Sequence, residues 1–170
     1  MTDLPATPAD GNVSVRIVAA IADLDAVEPT EIDNVTSVDA SCYLTSDGYS
    51  PSLDEQVIAD ERLCSTQVYE QPGRFTRSLD VIYIDNTNTT DPNLVKETLI
   101  PGSTHFLVVR RGLPFDTASA DGQTVTISPI KAGQYNDLPP EANSVLKTGQ
   151  KLFVTGATVL ATVGGDSSSS

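Results

Sequence analysis

The sequence predicts a mainly β protein in which an antiparallel sheet is accompanied by one short helix. The 170 residues include eleven Gly and eleven Pro, a composition that favours short strands and turns over long helices. Residues 105–110 are almost continuously apolar and are followed by a Gly and a Pro, which is typical of a strand buried on both faces. Residues 123–131, 143–155 and 156–163 are rich in Val, Leu and Thr, and we expect them to form further strands packed beside it.

The first third of the chain begins with a polar stretch rich in Pro and Ala, residues 1–12, which is expected to be a flexible arm. Apolar and polar side chains then alternate over residues 12–21, the period of a half-buried strand. Residues 22–36 are acidic and contain a proline, so they are predicted to be an extended crossing or one short helical turn. A short strand at 40–44 is predicted to end at a turn over residues 46–48.

The least regular segment is 49–63, whose pattern is compatible with a protruding hairpin or a long loop. A strand is predicted to begin at 66–70 and to turn at Pro72-Gly73. The next strand, 75–84, alternates strongly, with four apolar side chains predicted to share one face. These four are Phe75, Leu79, Val81 and Tyr83.

The single predicted helix lies at about 91–99. Asp91 and Pro92 supply an N-cap and a first helical position, so the helix itself is expected over 93–99. The chain has no internal repeat and no change of composition that marks a domain boundary. We therefore expect one domain over 13–163 and a disordered Ser-rich tail over 164–170.

The charge of the chain is unevenly distributed. Residues 1–61 hold thirteen acidic residues and one basic residue, whereas residues 62–170 hold ten acidic and nine basic residues. The net charge of −13 therefore divides into −12 and −1. Such a surface repels phosphate backbones, which argues against specific nucleic-acid binding. The N-terminus lacks the features of a secretory signal and no apolar run is long enough for a membrane helix, so synthesis in a cytosol is expected.

Motifs for catalysis, cofactors or metals are lacking in the sequence. A hydrolase would need His105 aimed at Cys42 or Cys64, but neither a nucleophile elbow nor an oxyanion motif accompanies that histidine. There is no phosphate-binding glycine loop, and two cysteines are too few for a disulfide scaffold. Buried free thiols are expected, with a bridge left open. The sequence predicts no enzyme, no cofactor and no metal site.

Several phrases resemble the major tail protein, or tail tube protein, of long-tailed bacteriophages that infect actinobacteria. They occur in order along the chain and are long enough to make chance similarity improbable. The phrases are SCYLT (41–45), RLCS (62–65), EQPGR (70–74), LVVRRGLPFDT (107–117) and PPEANSVLKTGQKLFVTG (139–156).

This resemblance implies an antiparallel β-sandwich or barrel flanked by a helix. It further implies hexameric rings that stack into a tube, the conduit for DNA ejection in the virion tail. The implied partners are other copies of the chain and further tail proteins, such as the tape measure, terminator and distal tail proteins. Double-stranded DNA would pass through the lumen without specific binding. The family offers no catalytic residue to carry over.

Two sets of residues are candidates for the functions that the resemblance implies. Apolar side chains among acids in 49–63, together with two arginines at a strand end, are candidate inter-subunit contacts. These are Tyr49, Leu53, Val57, Ile58, Leu63, Arg110 and Arg111. Acids of the first third are candidate lumen or rim charges, because repulsion would keep DNA from binding. These are Asp23, Asp25, Glu28, Glu31, Asp33 and Asp39. An ordinary solvated face remains open for these acids, and a non-enzymatic, adhesin-like β-sandwich binding module remains open for the chain.

Overall fold

The computed structural model describes residues 3–164 and confirms the mainly β fold. These residues form eight strands and two short helices. The strands are β1 (Val13–Val18), β2 (Val38–Asp39), β3 (Leu44–Asp60), β4 (Tyr69–Ile84), β5 (Thr104–Arg111), β6 (Thr124–Asp137), β7 (Lys147–Val154) and β8 (Val159–Thr162), and the helices are α1 (Pro29–Ile32) and α2 (Leu94–Thr98). None of the helices in the described part of the chain is long and apolar enough to cross a membrane.

The strands form one antiparallel sheet that curls into a half-barrel. Its order is β2-β1-β5-β6-β7-β4-β3, and β8 pairs with the first part of β6. The strand predicted at 105–110 therefore lies inside the sheet, between β1 and β6. Its side chains alternate between two apolar clusters, with Leu107 and Val109 in one and Val108 in the other. The prediction that this strand is buried on both faces is confirmed.

Each face of the sheet is covered by one of the helical segments. Val95 and Leu99, in and just after α2, pack into the cluster around Tyr83 and Leu152, and we call this side of the sheet the α2 face. Ile32 of α1 packs on the opposite side, together with apolar residues of β1, β5, β6 and β8. The acidic segment 22–36 is thus a cover for the core that includes one helical turn, one of the two forms that its sequence predicts.

Polar contacts hold α2 against the sheet. Lys96 Nζ lies 2.8 Å from Asp85 Oδ2, at the end of β4, and Thr148 donates to the same carboxylate oxygen at 3.0 Å. On the buried side, Gln150 donates from Nε2 to the Leu99 carbonyl oxygen at 2.8 Å and accepts from the Tyr83 hydroxyl at 3.0 Å. These bonds satisfy polar groups that burial would otherwise leave unpaired.

Two predicted turns, at residues 46–48 and at Pro72-Gly73, are wrong, because β3 continues through the first site and β4 through the second. Gly48 is buried inside β3, where a Cβ atom would overlap the Ile82 carbonyl oxygen. At Gly73 a Cβ would lie 2.9 Å from the Gln56 carbonyl oxygen. Both glycines allow close backbone approach at register shifts in the β3–β4 pairing. Neighbouring residues in the sequence do not distinguish a glycine at a bulge from a glycine in a turn, and this is why turns are predicted at both sites.

Other predictions need smaller corrections. The helix is shorter than 93–99, and its N-cap is Asn93 rather than Asp91. The expected burial of the thiols is wrong, since Cys42 and Cys64 are free and exposed. They lie beyond opposite ends of β3, whose 17 residues span roughly 50 Å, too far for a bridge within one chain. The tail predicted over 164–170 lies, apart from Gly164, outside the described residues.

Candidate assembly surface

The distal parts of β3 and β4 form a two-stranded arm that carries no core. No residue from 50 to 78 is buried, and we call this segment the projecting hairpin. Its strands pair from Ser50 with Asp80 out to Asp60 with Tyr69. The paired part spans roughly 30 Å at 3.3 Å per residue. Because β7 pairs with β4 only from Leu79 onward, the hairpin leaves the sheet at that point.

Local sequence explains why this stretch is a ribbon. Pro51 and Pro72 have no N–H to donate and are tolerated at edge strands or bulges, and both lie where a second neighbouring strand is lacking among the described residues. At the tip, Arg62 donates two bonds to the carboxylate of Asp60, at 3.1 and 2.9 Å. This ion pair closes the turn that joins the two strands.

Apolar side chains on the hairpin are left in water. Leu63 at the tip is fully exposed and the Phe75 side chain is 62% exposed. Five more are about half exposed or more, namely Leu53, Val57, Ile58, Val68 and Tyr69. A two-stranded ribbon alone is at best marginally stable in water, and apolar patches on charged surfaces often mark interfaces. The arrangement can therefore bind a protein surface.

The structure places the predicted contact residues in three different settings. Leu53, Val57, Ile58 and Leu63 are on the hairpin and exposed. Tyr49 lies at its base, half-buried against the core, and burial raises the pKa of its hydroxyl. The two arginines at the end of β5 differ from one another in burial.

Arg111 is exposed, whereas Arg110 is buried and bonded to its own chain. Its guanidinium donates to Gln123 Oε1 at 3.1 Å and to the Pro114 carbonyl oxygen at 3.0 Å. Neither arginine forms an ion pair within residues 3–164. Arg110 therefore holds the loop after β5 and is not available for a contact surface.

Five of the six predicted lumen acids lie in segment 22–36, which covers the second apolar cluster, and the sixth, Asp39, lies in β2. Glu31 accepts from the backbone N–H groups of Ala22 and Glu28, at 3.0 and 2.9 Å. Asp33 accepts from the Ser119 backbone N–H and lies 3.5 Å from Arg16. Asp39 accepts from the Ser41 N–H and lies 3.8 Å from the same arginine. The remaining three, Asp23, Asp25 and Glu28, have exposed side chains.

The sequence predicts strands at 66–70 and 75–84 but not that they form one strand paired with residues 50–60, so it misses the candidate contact residues of this second strand of the hairpin. Tyr69, Phe75, Arg74 and Arg77 are exposed on β4, and Val68 is exposed just before it. Phe75 is predicted to share one face of its strand with Leu79, and it does, but it lies beyond the end of the core and is exposed. A usable signal is that Ser50–Asp60 and Tyr69–Asp80 are of similar length, as the two paired strands of a hairpin are. The irregular pattern of the first run is then compatible with a strand.

The structure does not bring His105 together with Cys42 or Cys64, the pairing that a cysteine hydrolase would need. His105 is half-buried, and its Nε2 lies 3.0 Å from the Thr98 carbonyl oxygen and 3.2 Å from Ser103 Oγ. The cysteines are exposed elsewhere. Among the residues that the structure covers, no three potential metal ligands come together.

Comparison with known protein families gives a match over nearly the whole chain. The sequence profile of the family described as phage tail tube protein matches residues 1–165 of the chain. No curated protein sequence matches it.

Proposed function

Since the chain belongs to the phage tail tube protein family, we propose that it assembles into hexameric rings stacked as the hollow conduit for DNA ejection. The observation that carries this proposal is the projecting hairpin. A folded chain that leaves 29 consecutive residues without a buried side chain has a surface that only another molecule can cover. In a tube, that molecule is a further copy of the chain.

The contact residues in this proposal are those of the hairpin and its base. Tyr49, Leu53, Val57, Ile58 and Leu63 would lose their exposure to water on assembly, and Arg111 would join them at the end of β5. At about 25 cal/mol for each Å² of apolar surface, burial of these side chains supplies a driving force for association. Ordering of the ribbon and loss of rotational freedom oppose it.

The acidic segment is proposed to line the lumen or its rim. Asp23, Asp25 and Glu28 are the charges most available there, because they are exposed and have no ion-pair partner in residues 3–164, whereas Asp33 and Asp39 lie beside Arg16 and Glu31 accepts two backbone bonds. Fixed negative charge repels the phosphates of passing DNA, and the repulsion is strongest at low ionic strength. The conduit would thereby avoid binding its cargo.

The remaining parts of the proposal follow from the tail tube role. The chain would be made in the cytoplasm of a host bacterium, here an actinobacterium, and would end in the virion tail. Its partners would be the tape measure, terminator and distal tail proteins. Residues 13–163 would act as one folding domain, with 1–12 as an arm and 164–170 as a tail.

Negative-stain electron microscopy of the purified chain tests the proposal. We expect six-fold rings or hollow filaments at high protein concentration, and the same repeat in virions that carry the protein. A chain that stays monomeric at high concentration, with no tube in those virions, would contradict the proposal.

A further inference from the structure

We propose that projecting hairpins of neighbouring copies join edge to edge, with the acidic outer edge of β3 in one copy against the basic outer edge of β4 in the next. This inference rests on the proposed function, because it requires several copies in one assembly. It identifies the partner of the hairpin as the hairpin of a second copy and names the side chains that would select it.

Between Pro51 and Pro72 the charges of the hairpin are sorted by strand, and Glu70 of β4 lies outside this stretch, opposite Ala59 near the tip. Asp54 and Glu55 lie on β3, which has no basic residue anywhere along its length, whereas Arg74 and Arg77 lie on the facing part of β4. All four are exposed, and none has an ion-pair partner within 4.0 Å in residues 3–164. Asp54 accepts one bond from Gln56 and Arg77 lies over the Phe75 ring. Four ionic groups are thus left without an oppositely charged partner.

The backbone of the hairpin is open on both outer edges. Within the described chain, β3 pairs only with β4, and β4 from Tyr69 to Ser78 pairs only with β3. Pro51 and the irregularity at Pro72 remove donors and distort the ladder. Regular pairing is therefore confined to the stretch between them, and this is the stretch that carries the four charges. Prolines that limit an open edge also restrict its register.

Strand alternation distributes the charges evenly over the two faces. Glu55 is the Cα partner of Phe75, so Glu55 and Arg77 lie on the α2 face of the ribbon, and Asp54 and Arg74 lie on the other. If a neighbour continues the register of the hairpin, each face places one carboxylate diagonally across from one guanidinium. Diagonal neighbours are roughly 7–8 Å apart between backbones, within reach of long side chains.

A second copy is the occupant that this arrangement favours, because one chain supplies both complementary edges. Rotation about an axis parallel to the ribbon places β4 of one copy antiparallel to β3 of the next. Such a contact is heterologous, so it either closes into a ring or grows without limit. Closure pairs every open edge, which is how barrels avoid exposed edges.

Charge reversal with mixing tests the inference. One variant reverses the acidic edge (D54K/E55K), a second reverses the basic edge (R74E/R77E), and a third combines all four substitutions. We expect each double variant alone to lose rings and filaments in electron microscopy and sedimentation, because two like-charged edges then meet. We expect a 1:1 mixture of the double variants to recover assembly, since copies can alternate around a ring with an even number of subunits. The fourfold variant should assemble by itself.

The mixture separates pairing between copies from pairing within one hairpin. If the fourfold variant assembles but the mixture does not, the charges act inside their own hairpin and the inference is overturned. Assembly by both double variants alone would overturn it as well. E97K/D116K, which changes two exposed acids elsewhere, controls for net charge and should still assemble, and circular dichroism should show that every variant is folded. A wild-type chain that never assembles would instead contradict the proposed function.

Discussion

Asp85 illustrates how one side chain ties a helix to the sheet. It lies just after β4 and receives bonds from Lys96, Thr87 and Thr148. Burial acts to raise the pKa of this carboxyl, but the bonds from these three residues outweigh it and hold the pKa well below its usual range. The charged form of Asp85 is therefore favoured in the folded state, and its ionisation contributes to stability.

Replacing Asp85 with Asn should destabilise the protein. Because the charge of Lys96 would be left without this partner in a mostly buried site, we expect a loss of about 2 kcal/mol in the free energy of unfolding at pH 7. The folded-state pKa is depressed, so the contribution is present above the unfolded value of roughly 4 and is lost as pH falls below it. Urea denaturation from pH 7 to 2.5 measures this, and the difference in stability between the two proteins should shrink steadily as the pH falls below about 4.

The matched control is Asp80→Asn, a carboxylate on the same strand that is exposed and forms no ion pair within the described residues. Its effect should stay within about 0.5 kcal/mol. A loss at Asp80 as large as that at Asp85, or a loss at Asp85 that does not depend on pH, would show that the Lys96 contact is not the cause.

At the scale of elements, the buried core and the groups available for contacts lie in different parts of the chain. The curled sheet, α1 and α2 hold the described core residues, while the projecting hairpin holds exposed apolar and charged groups. The two parts are joined only through the paired bases of β3 and β4. We therefore expect the hairpin to be dispensable for folding and necessary for assembly.

A shortened hairpin tests this separation. Replacing residues 53–77 with Asn-Gly joins Ser52 to Ser78, which are Cα partners, through a two-residue turn suited to antiparallel strands. No buried side chain is removed, so thermal unfolding should show a change of no more than about 1 kcal/mol in stability. Sedimentation should show monomers at concentrations where the full chain forms tubes. Normal tubes from the shortened chain would contradict the proposed role of the hairpin.

At the scale of the whole molecule, net charge and assembly are in tension. A net charge of −13 makes copies repel one another, so any contact must bring complementary groups together locally. The hairpin tip, with Leu63 fully exposed beside Cys64, provides a natural probe of such contacts. The reactivity of the Cys64 thiol reports whether the tip is covered.

Cys64 should lose reactivity toward a maleimide when tubes form. A Cys42→Ser variant isolates this thiol, and its labelling rate can be compared between assembled tubes and the monomeric D54K/E55K variant in the same background. An exposed thiol reacts readily with a maleimide, whereas a covered one does not. Equal rates in tubes and in monomers would mean that the tip stays exposed, and the proposed contact would then exclude Leu63.

Local patterns in the sequence were sufficient to predict the elements that pack on a core. The run at 105–110 identified β5, alternation identified the paired end of β4, and Asp91-Pro92 located α2 to within a few residues. These features can be predicted because side-chain period and turn residues depend on neighbours within the same segment.

Only the tertiary structure decided where strands end, which glycines make bulges and which apolar residues stay uncovered. Gly48 and Gly73 resemble turn residues in sequence, yet each is required by the close approach of the facing strand. Phe75 and Leu79 follow the same alternation, but Leu79 is buried and Phe75 is exposed, because β7 and the core end between them. Burial depends on what lies across the sheet, and that is set by residues distant in the chain, beyond the reach of any local pattern.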